Sequence, residues 1–218
     1  MKRYERHGKI INVDELRRKT VLVAGVGGLG CASSEILARL GIGRMYLVDP
    51  KKVDEPDLNR QILYDHDSVG RKKVEVASEK LKMIAPDLEI IPLDLKIDER
   101  FTPPQVDVIL DCLDNWKSRF ILDDLSHLHR VPLIHAGVKD CYGQITTVIP
   151  GETQSLKELF PDMREEKVLS VHPSIVLLIA SIQSFEAVNL LLGEPKLAGK
   201  LLIYDLEDLS SEVIELAR

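Results

Sequence analysis

The stretch PDLNRQ, Pro56 to Gln61, sets Asn59, Arg60 and Gln61 side by side, and a Lys72–Lys73 pair follows where a helix begins. An arginine offers a planar fork that grips two phosphate oxygens, and Lys73 adds a compact charge at a helix start. Asn59 and Gln61 supply further hydrogen bonds. A solvated basic helix start accounts for Lys72, but less well for an arginine between two amides. Hydride transfer needs no such cluster. Chemistry on a triphosphate does, because negative charge must be held while a phosphate is attacked.

A turn upstream gives these side chains something to hold. In VAGVGGLG, Gly25, Gly27 and Gly30 fit G-x-G-x-x-G, and Gly25, Gly28 and Gly30 fit G-x-x-G-x-G, with a strand before and a helix after. Glycines let the backbone approach a phosphate, and the helix N-terminus adds free N–H groups and partial positive charge. Asp49 ends the next strand about twenty residues on, where an acid accepts from ribose hydroxyls. The turn and Asp49 alone leave NAD and ATP open. In LDCLDN, Asp111 finishes a strand and Asp114 lies just past its carboxyl end, placed to hold Mg²⁺ against phosphate oxygens. The plainer role of Asp114 or Asn115 is to cap the helix starting near Trp116.

The elements that must position these residues alternate. Val21–Ala24 is an apolar run suited to a strand buried on both faces, and a helix through Ile36, Leu37 and Leu40 follows, ended by Gly41 and Gly43. RMYLVD is a strand, Val74–Ile84 a helix, EIIPLDLKI and VDVILDCLD strands, and Lys117–His129 a helix. VPLIHAGV and GQITTVIPG are strands, Ile175–Leu192 is a helix, and GKLLIYDLE is a late strand. The expected fold is α/β and Rossmann-like. Its sheet is mainly parallel with helices on both faces and a C-terminal mixed or antiparallel portion. Residues 1–218 form a single domain, and residues 1–18 a helical arm.

The 218 residues, 44% hydrophobic and 29% charged, have the balance of a soluble globular chain. A net charge of -6 weighs against a nucleic-acid partner or an anionic membrane surface. The start has no signal-peptide core, no run reaches bilayer-spanning length, and SIVLLIASI is a buried helix. Three widely spaced cysteines, Cys31, Cys112 and Cys141, indicate neither a disulfide framework nor zinc, so the expected compartment is the cytoplasm. Cys112 and Cys141 lie on or beside strands and fit buried packing roles. His66, His127, His129, His135 and His172 show no metal-ligand spacing and read as surface or packing residues.

Together, GVGGLG, the Asp49 strand end, NRQ, VGRKKVE, LDCLDN and GQITTVIPG resemble the MoeB/ThiF/HesA family, bacterial relatives of ubiquitin-activating enzymes, over nearly the whole chain. The resemblance implies an adenylyltransferase. Such an enzyme uses ATP and Mg²⁺ to activate the C-terminal carboxylate of a ubiquitin-like sulfur-carrier protein ending in Gly-Gly, with release of pyrophosphate. On this chain it implies that Gly28 lies against the nucleotide, Asp49 binds ribose, Arg60 and Lys73 hold phosphates, and Asp114 binds Mg²⁺. Arg6, in RYERH, matches an arginine that acts in a partner subunit's site, which implies a homodimer; alone, Arg6 reads as a solvated terminus.

The chain also departs from the family. SLKELFP carries Ser155 and Glu158 where a zinc-binding cysteine pair is usual, and no C-x-x-C occurs anywhere, so no zinc is expected. The crossover segment DMREEKVLSVHPS lacks the cysteine that some relatives use for a thioester or persulfide. Asp57 replaces a common asparagine and adds negative charge near the phosphates, and His7 replaces a glutamine. Competing readings are adenylation of a small-molecule or tRNA-linked carboxylate, a non-catalytic nucleotide-binding subunit and, more remotely, an NAD-dependent dehydrogenase.

Overall fold

The computed structural model describes residues 2–163 and 170–216. In chain order the elements are α1 (Val13–Leu16), β1 (Thr20–Ala24), α2 (Gly28–Leu40), β2 (Arg44–Val48), α3 (Lys73–Ile84), β3 (Glu89–Leu93) and β4 (Val108–Asp111). There follow α4 (Trp116–His129), β5 (Leu133–Lys139), β6 (Tyr142–Val148), α5 (Leu156–Leu159), α6 (Pro173–Leu191), β7 (Lys200–Asp205) and β8 (Ser210–Glu215). They build one eight-stranded sheet in the order β3-β2-β1-β4-β5-β6-β7-β8. Strands β1 to β5 pair in parallel, and β5-β6-β7-β8 pair antiparallel.

The fully buried residues Val21 to Ala24 explain the unbroken apolar run of β1, which lies between β2 and β4 with both faces covered. One face carries α2, α3 and α6, whose apolar sides form the larger core with Val21 and Val23. The other face carries α4 and α5 over Leu22, Ala24, Ile109 and Leu133. Helix α2 stops at Gly41, whose φ of 100° is left-handed and whose N–H closes onto the Leu37 carbonyl.

Two strands are shorter than their apolar patterns. β3 carries Pro92, tolerated because β3 is an edge strand, and leaves the sheet after Leu93; Ile97 then packs into the second core. β4 stops at Asp111 because the Asp111 carboxylate turns back to accept from Leu113 N. The arm is less helical than expected: a 3₁₀ turn at Lys2–Tyr4, further turns, then the short α1. Tyr4 is buried, and Arg3 Nη2 donates to the Ile84 carbonyl, fixing the arm beside the C-terminal end of α3. Strand β8 carries no expectation from sequence, since all six of its residues are exposed and no burial pattern marks it.

Ser155 and Glu158, at the expected site of the cysteine pair, bond to each other as a capping box at the start of α5. Residues 164–169 of the crossover segment lie outside the described residues.

Contrary to the expectation that no run reaches bilayer-spanning length, helix α6 has the length and composition of a membrane span. Its buried polar residues give the physical reason for placing it against the sheet. Gln183 Nε2 donates to the Asp111 and Ile134 carbonyls. The Glu186 carboxylate accepts from Thr147 Oγ1, Lys196 N and Leu197 N, tying α6 to the segment that enters β7. Removing a buried acceptor strands its donors. Glu186→Ala is therefore expected to lower unfolding stability by about 2–3 kcal/mol. Urea titration would show this as a lower midpoint, with hydrogen exchange rising first in β7 and β8.

Candidate active site

Chain order reverses between β1 and β4, and a crevice opens beyond the carboxyl ends of the strands there, the usual ligand position in an open α/β sheet. A cleft of about 750 Å³ occupies it, a volume suited to a nucleotide. Its floor is the glycine turn. Gly25 holds a left-handed φ of 90°, and a Cβ on it would meet the Cys112 carbonyl oxygen at 2.7 Å. A Cβ on Gly30 would meet the Gly25 carbonyl oxygen at 1.9 Å, and one on Gly28 would meet Val176 of α6 at 2.8 Å. The fold itself therefore demands these three glycines. Gly27 differs: a Cβ there would have a single neighbour, Gln61 Nε2 at 3.9 Å, so its bareness leaves room for a ligand. Gly27 also N-caps α2 without a side chain, which leaves first-turn N–H groups for an anion.

Asp49 is buried and ties the walls together: Oδ2 accepts from Val26 N at 2.9 Å and Oδ1 from Lys51 N at 2.8 Å. A carboxylate has lone pairs beyond these two bonds. Tyr64 Oη donates to the Val26 carbonyl at 2.8 Å and lies 3.2 Å from the Lys73 carbonyl, linking the turn to the start of α3. The Lys73 side chain is 5% exposed, with Nζ 2.9 Å from Asp57 Oδ2. Asp57 is spent on this cation, on Gln61 Nε2 at 2.6 Å and on Asp54 N. Gln61 Oε1 remains a buried acceptor with no partner at the cleft wall.

Gly25, Gly27, Gly28, Asp49, Arg60 and Gln61 all line the cleft, as do Lys73, Asp114 and Asn115. Three expected residues do not. Gly30 packs beneath the turn. Asn59 Oδ1 accepts from Arg60 Nη1 at 2.9 Å and so aims the arginine from outside. Arg6 is exposed on the arm, away from the cleft lining. Capping of α4 falls to Asn115, whose Oδ1 accepts from Ser118 N, so Asp114 is not needed for it. Lys72 is a half-buried helix start paired with Glu75 and Asp94.

Two site residues escaped the sequence reading. Lys51 Nζ lies 2.6 Å from Asp114 Oδ2. Desolvation at the cleft mouth pushes the Asp114 carboxyl up, but Lys51 outweighs it and holds the carboxyl below its ordinary value. Arg119 is buried under the Asp114 loop. Its Nη1 donates to Asp111 Oδ2 at 3.2 Å and to the Ala136 carbonyl at 2.8 Å, and its Nη2 donates to the Leu113 carbonyl. The sequence signals were a Lys-Lys pair just past a strand end, and an arginine one turn into a helix.

His135, read as a surface or packing residue, is fully buried in the same network. Its Nδ1 lies 2.7 Å from Asp111 Oδ2 and 2.8 Å from Arg119 Nη1, and its Nε2 lies 3.1 Å from Gln144 Nε2.

The donor set fits a nucleotide-bound Mg²⁺. Asp114 presents one carboxylate, and the described residues hold no group of three metal-ligating side chains, so phosphate oxygens and water would complete the shell. The cleft fits ATP through its volume, the free N–H groups of α2, the unpaired Gln61 Oε1 and the two cations at Arg60 and Lys73.

The chain belongs to the ThiF family, whose model matches residues 6–218. It is 33% identical to the SAMP-activating enzyme E1 of Haloferax volcanii over 97% of this chain and 84% of that protein. It is 35% identical to the molybdopterin-synthase adenylyltransferase of Escherichia coli over 88% of this chain and 81% of that protein. Among solved structures, E. coli MccB with ATP superposes with a TM-score of 0.87 at 20% identity, over 100% of this chain and 72% of that one. MccB in complex with N-formylated MccA gives 0.90 at 19% identity, over 99% of this chain and 72% of that one. The chain spans 65% of MccB as solved with succinimide. At these identities the solved structures speak for the fold.

The network under the cleft sets a pH dependence. Burial pushes His135 below its ordinary value and Arg119 adds to this, while Asp111 offsets only part. Burial pushes the Asp111 carboxyl up, but Arg119 and His135 together bring it below the ordinary carboxylate range. Both folded values lie below the unfolded ones, so the unfolded chain binds more protons as pH falls. The His135 share is complete above about pH 6.5 and declines below it; the Asp111 share declines only below about pH 4. The urea midpoint is expected to fall between pH 7.5 and pH 5, and to fall less in His135→Gln. Equal slopes would remove His135 from the account.

Proposed function

We propose that this ThiF family member is an ATP-dependent adenylyltransferase that activates the C-terminal carboxylate of a ubiquitin-like sulfur-carrier protein. The observation that carries the reading is the convergence of Arg60 and the nearly buried Lys73 on a cleft floored by the N-terminus of α2. A carboxylate oxygen of the carrier attacks the α-phosphorus, the bond to the bridging oxygen breaks, and pyrophosphate leaves with its electrons. The acceptor is already ionised, so no general base is required.

The barrier is repulsion between anions and the charge that grows on pyrophosphate. Arg60 and Lys73 meet that charge from fixed positions, Arg60 aimed by Asn59 and Lys73 held by Asp57. Fixed cations at a poorly hydrated wall act without reorganising, where water would have to turn. Asp49 would receive the ribose, and the unpaired Gln61 Oε1 a donor from the nucleotide. Mg²⁺, held by Asp114, would supply further charge neutralisation at the phosphates.

Arg6 completes the set only if a second copy presents its arm to the cleft, which favours a homodimer. A Gly-Gly tail on the carrier is the acceptor best suited to a cleft floored by close-packed glycines, since it passes without side chains. The absence of a strongly basic net charge, -6, disfavours a tRNA acceptor, and the three free cysteines fit a reducing cytoplasm.

The test is ATP–pyrophosphate exchange with Mg²⁺ and carriers ending in Gly-Gly, each beside a version lacking that tail. Exchange is expected to need the tail and to fall about a hundredfold or more in Lys73→Ala. ATP binding without exchange on any carrier would instead favour a small carboxylate, a tRNA-linked one or a non-catalytic subunit. Arg6→Ala and Lys73→Ala should each be inactive alone. Mixed and allowed to exchange subunits, they should recover about a quarter of wild-type sites, since half the dimers are mixed and each then holds one intact site. No recovery, with subunit exchange verified, would remove Arg6 from the partner's site.

A further inference from the structure

Among the cation–carboxylate pairs of the cleft, which include Arg60–Asp57 at 4.0 Å, Lys73–Asp57 and Lys51–Asp114 differ in kind. Lys73–Asp57 is fixed: the side chains are 5% and 15% exposed, and Asp57 is further held by Gln61 and Asp54 N. Lys51–Asp114 is not: at 2.6 Å its partners are 57% and 66% exposed. An exposed single pair contributes little to stability, so the fold gives up little when it opens.

The position of the second pair is what gives it meaning. Lys51 follows the end of β2 and Asp114 the end of β4, with β1 and its glycine turn between them. Adjacent strands lie about 4.8 Å apart, so the pair bridges roughly 10 Å of crevice mouth directly over the turn. Both Asp114 oxygens are engaged, Oδ2 by Lys51 and Oδ1 by Asn115 Nδ2 at 3.2 Å. A metal ion at Asp114 Oδ2 competes with Lys51 for that oxygen, and repulsion between the two cations favours release of Lys51. Once released, Lys51 is an ammonium on the wall of the same cleft, beside Lys73, whose N–H donates to the Lys51 carbonyl at 3.1 Å.

We propose that Lys51 is an exchangeable counter-cation. It neutralises Asp114 in the free protein, yields that carboxylate to the nucleotide's divalent cation, and passes its own charge to the triphosphate. This rests on the nucleotide reading of the cleft. Its consequence is a nucleotide affinity that depends only weakly on metal, because Lys51 covers Asp114 when no metal does. Without Lys51, a bare Asp114 would repel metal-free ATP, whereas Mg²⁺ would mask that repulsion.

The experiment is isothermal titration of the full chain with ATP, once with Mg²⁺ and once with EDTA, on wild type, Lys51→Ala and Lys51→Arg. In EDTA, Lys51→Ala is expected to weaken binding about tenfold or more, and in Mg²⁺ less than about threefold. Lys51→Arg should restore metal-free binding, because any cation there covers Asp114. Equal weakening in the two conditions would make Lys51 an ordinary phosphate ligand and overturn the exchange. Weakening confined to Mg²⁺, or none in either condition, would overturn it as well. A wild-type protein that binds no ATP in either condition would overturn the nucleotide reading itself, and this inference with it.

Discussion

A guanidinium buried beneath the cleft ties helix α4 to two neighbouring strands and to the loop that follows one of them. Arg119 reaches from α4 to the end of β4 at Asp111, to β5 at Ala136 and to the loop carbonyl of Leu113. An unpaired charge at this depth would cost several kcal/mol, so Arg119 and Asp111 require each other. Their pairing also shapes the loop that carries Asp114 and Asn115. The carboxylate exposed at the cleft mouth stands where it does because another is neutralised below it.

The floor of the cleft is made by packing. Three glycines of the turn are bare because the Cys112 carbonyl, the Gly25 carbonyl and Val176 of α6 occupy the space a side chain would need. Helix α6, more than a hundred residues downstream, thus presses on the turn that opens α2, and Gln183 and Glu186 anchor it to the sheet. A motif usually read through its ligand is here also a requirement of the core, and Gly27 alone is left to the ligand.

Charges in the cleft are graded by burial. Lys73 and Asp57 form a rigid pair at the wall, and Lys51 and Asp114 a loose one at the mouth. The extra negative charge of Asp57 is absorbed by Lys73 and by local bonds, so it organises the cations already present. Ser155 and Glu158 show a similar economy: a capping box stands where the family resemblance expects a metal-binding pair.

The sequence by itself determined the alternation of strands and helices, the parallel core, the antiparallel C-terminal portion, and the segments from Gly25, Asp49, Arg60, Lys73 and Asp114 that line one cleft. Each follows from short-range rules: apolar period, glycine turns and strand-end acids. It also fixed family membership, through the order of its motifs. Tertiary structure alone decided which neighbours in sequence share a task. Asn59 and Gln61 flank Arg60, yet one steadies the arginine from outside while the other faces the cleft with an unpaired oxygen. Lys51 finds its carboxylate 63 residues away, and His135 becomes buried although its strand pattern leaves either face open. Strand β8 pairs although no burial marks it, because β7 offers a free edge. Local pattern sets which elements form; partners across a crevice are set by strand order, which no spacing along the chain encodes.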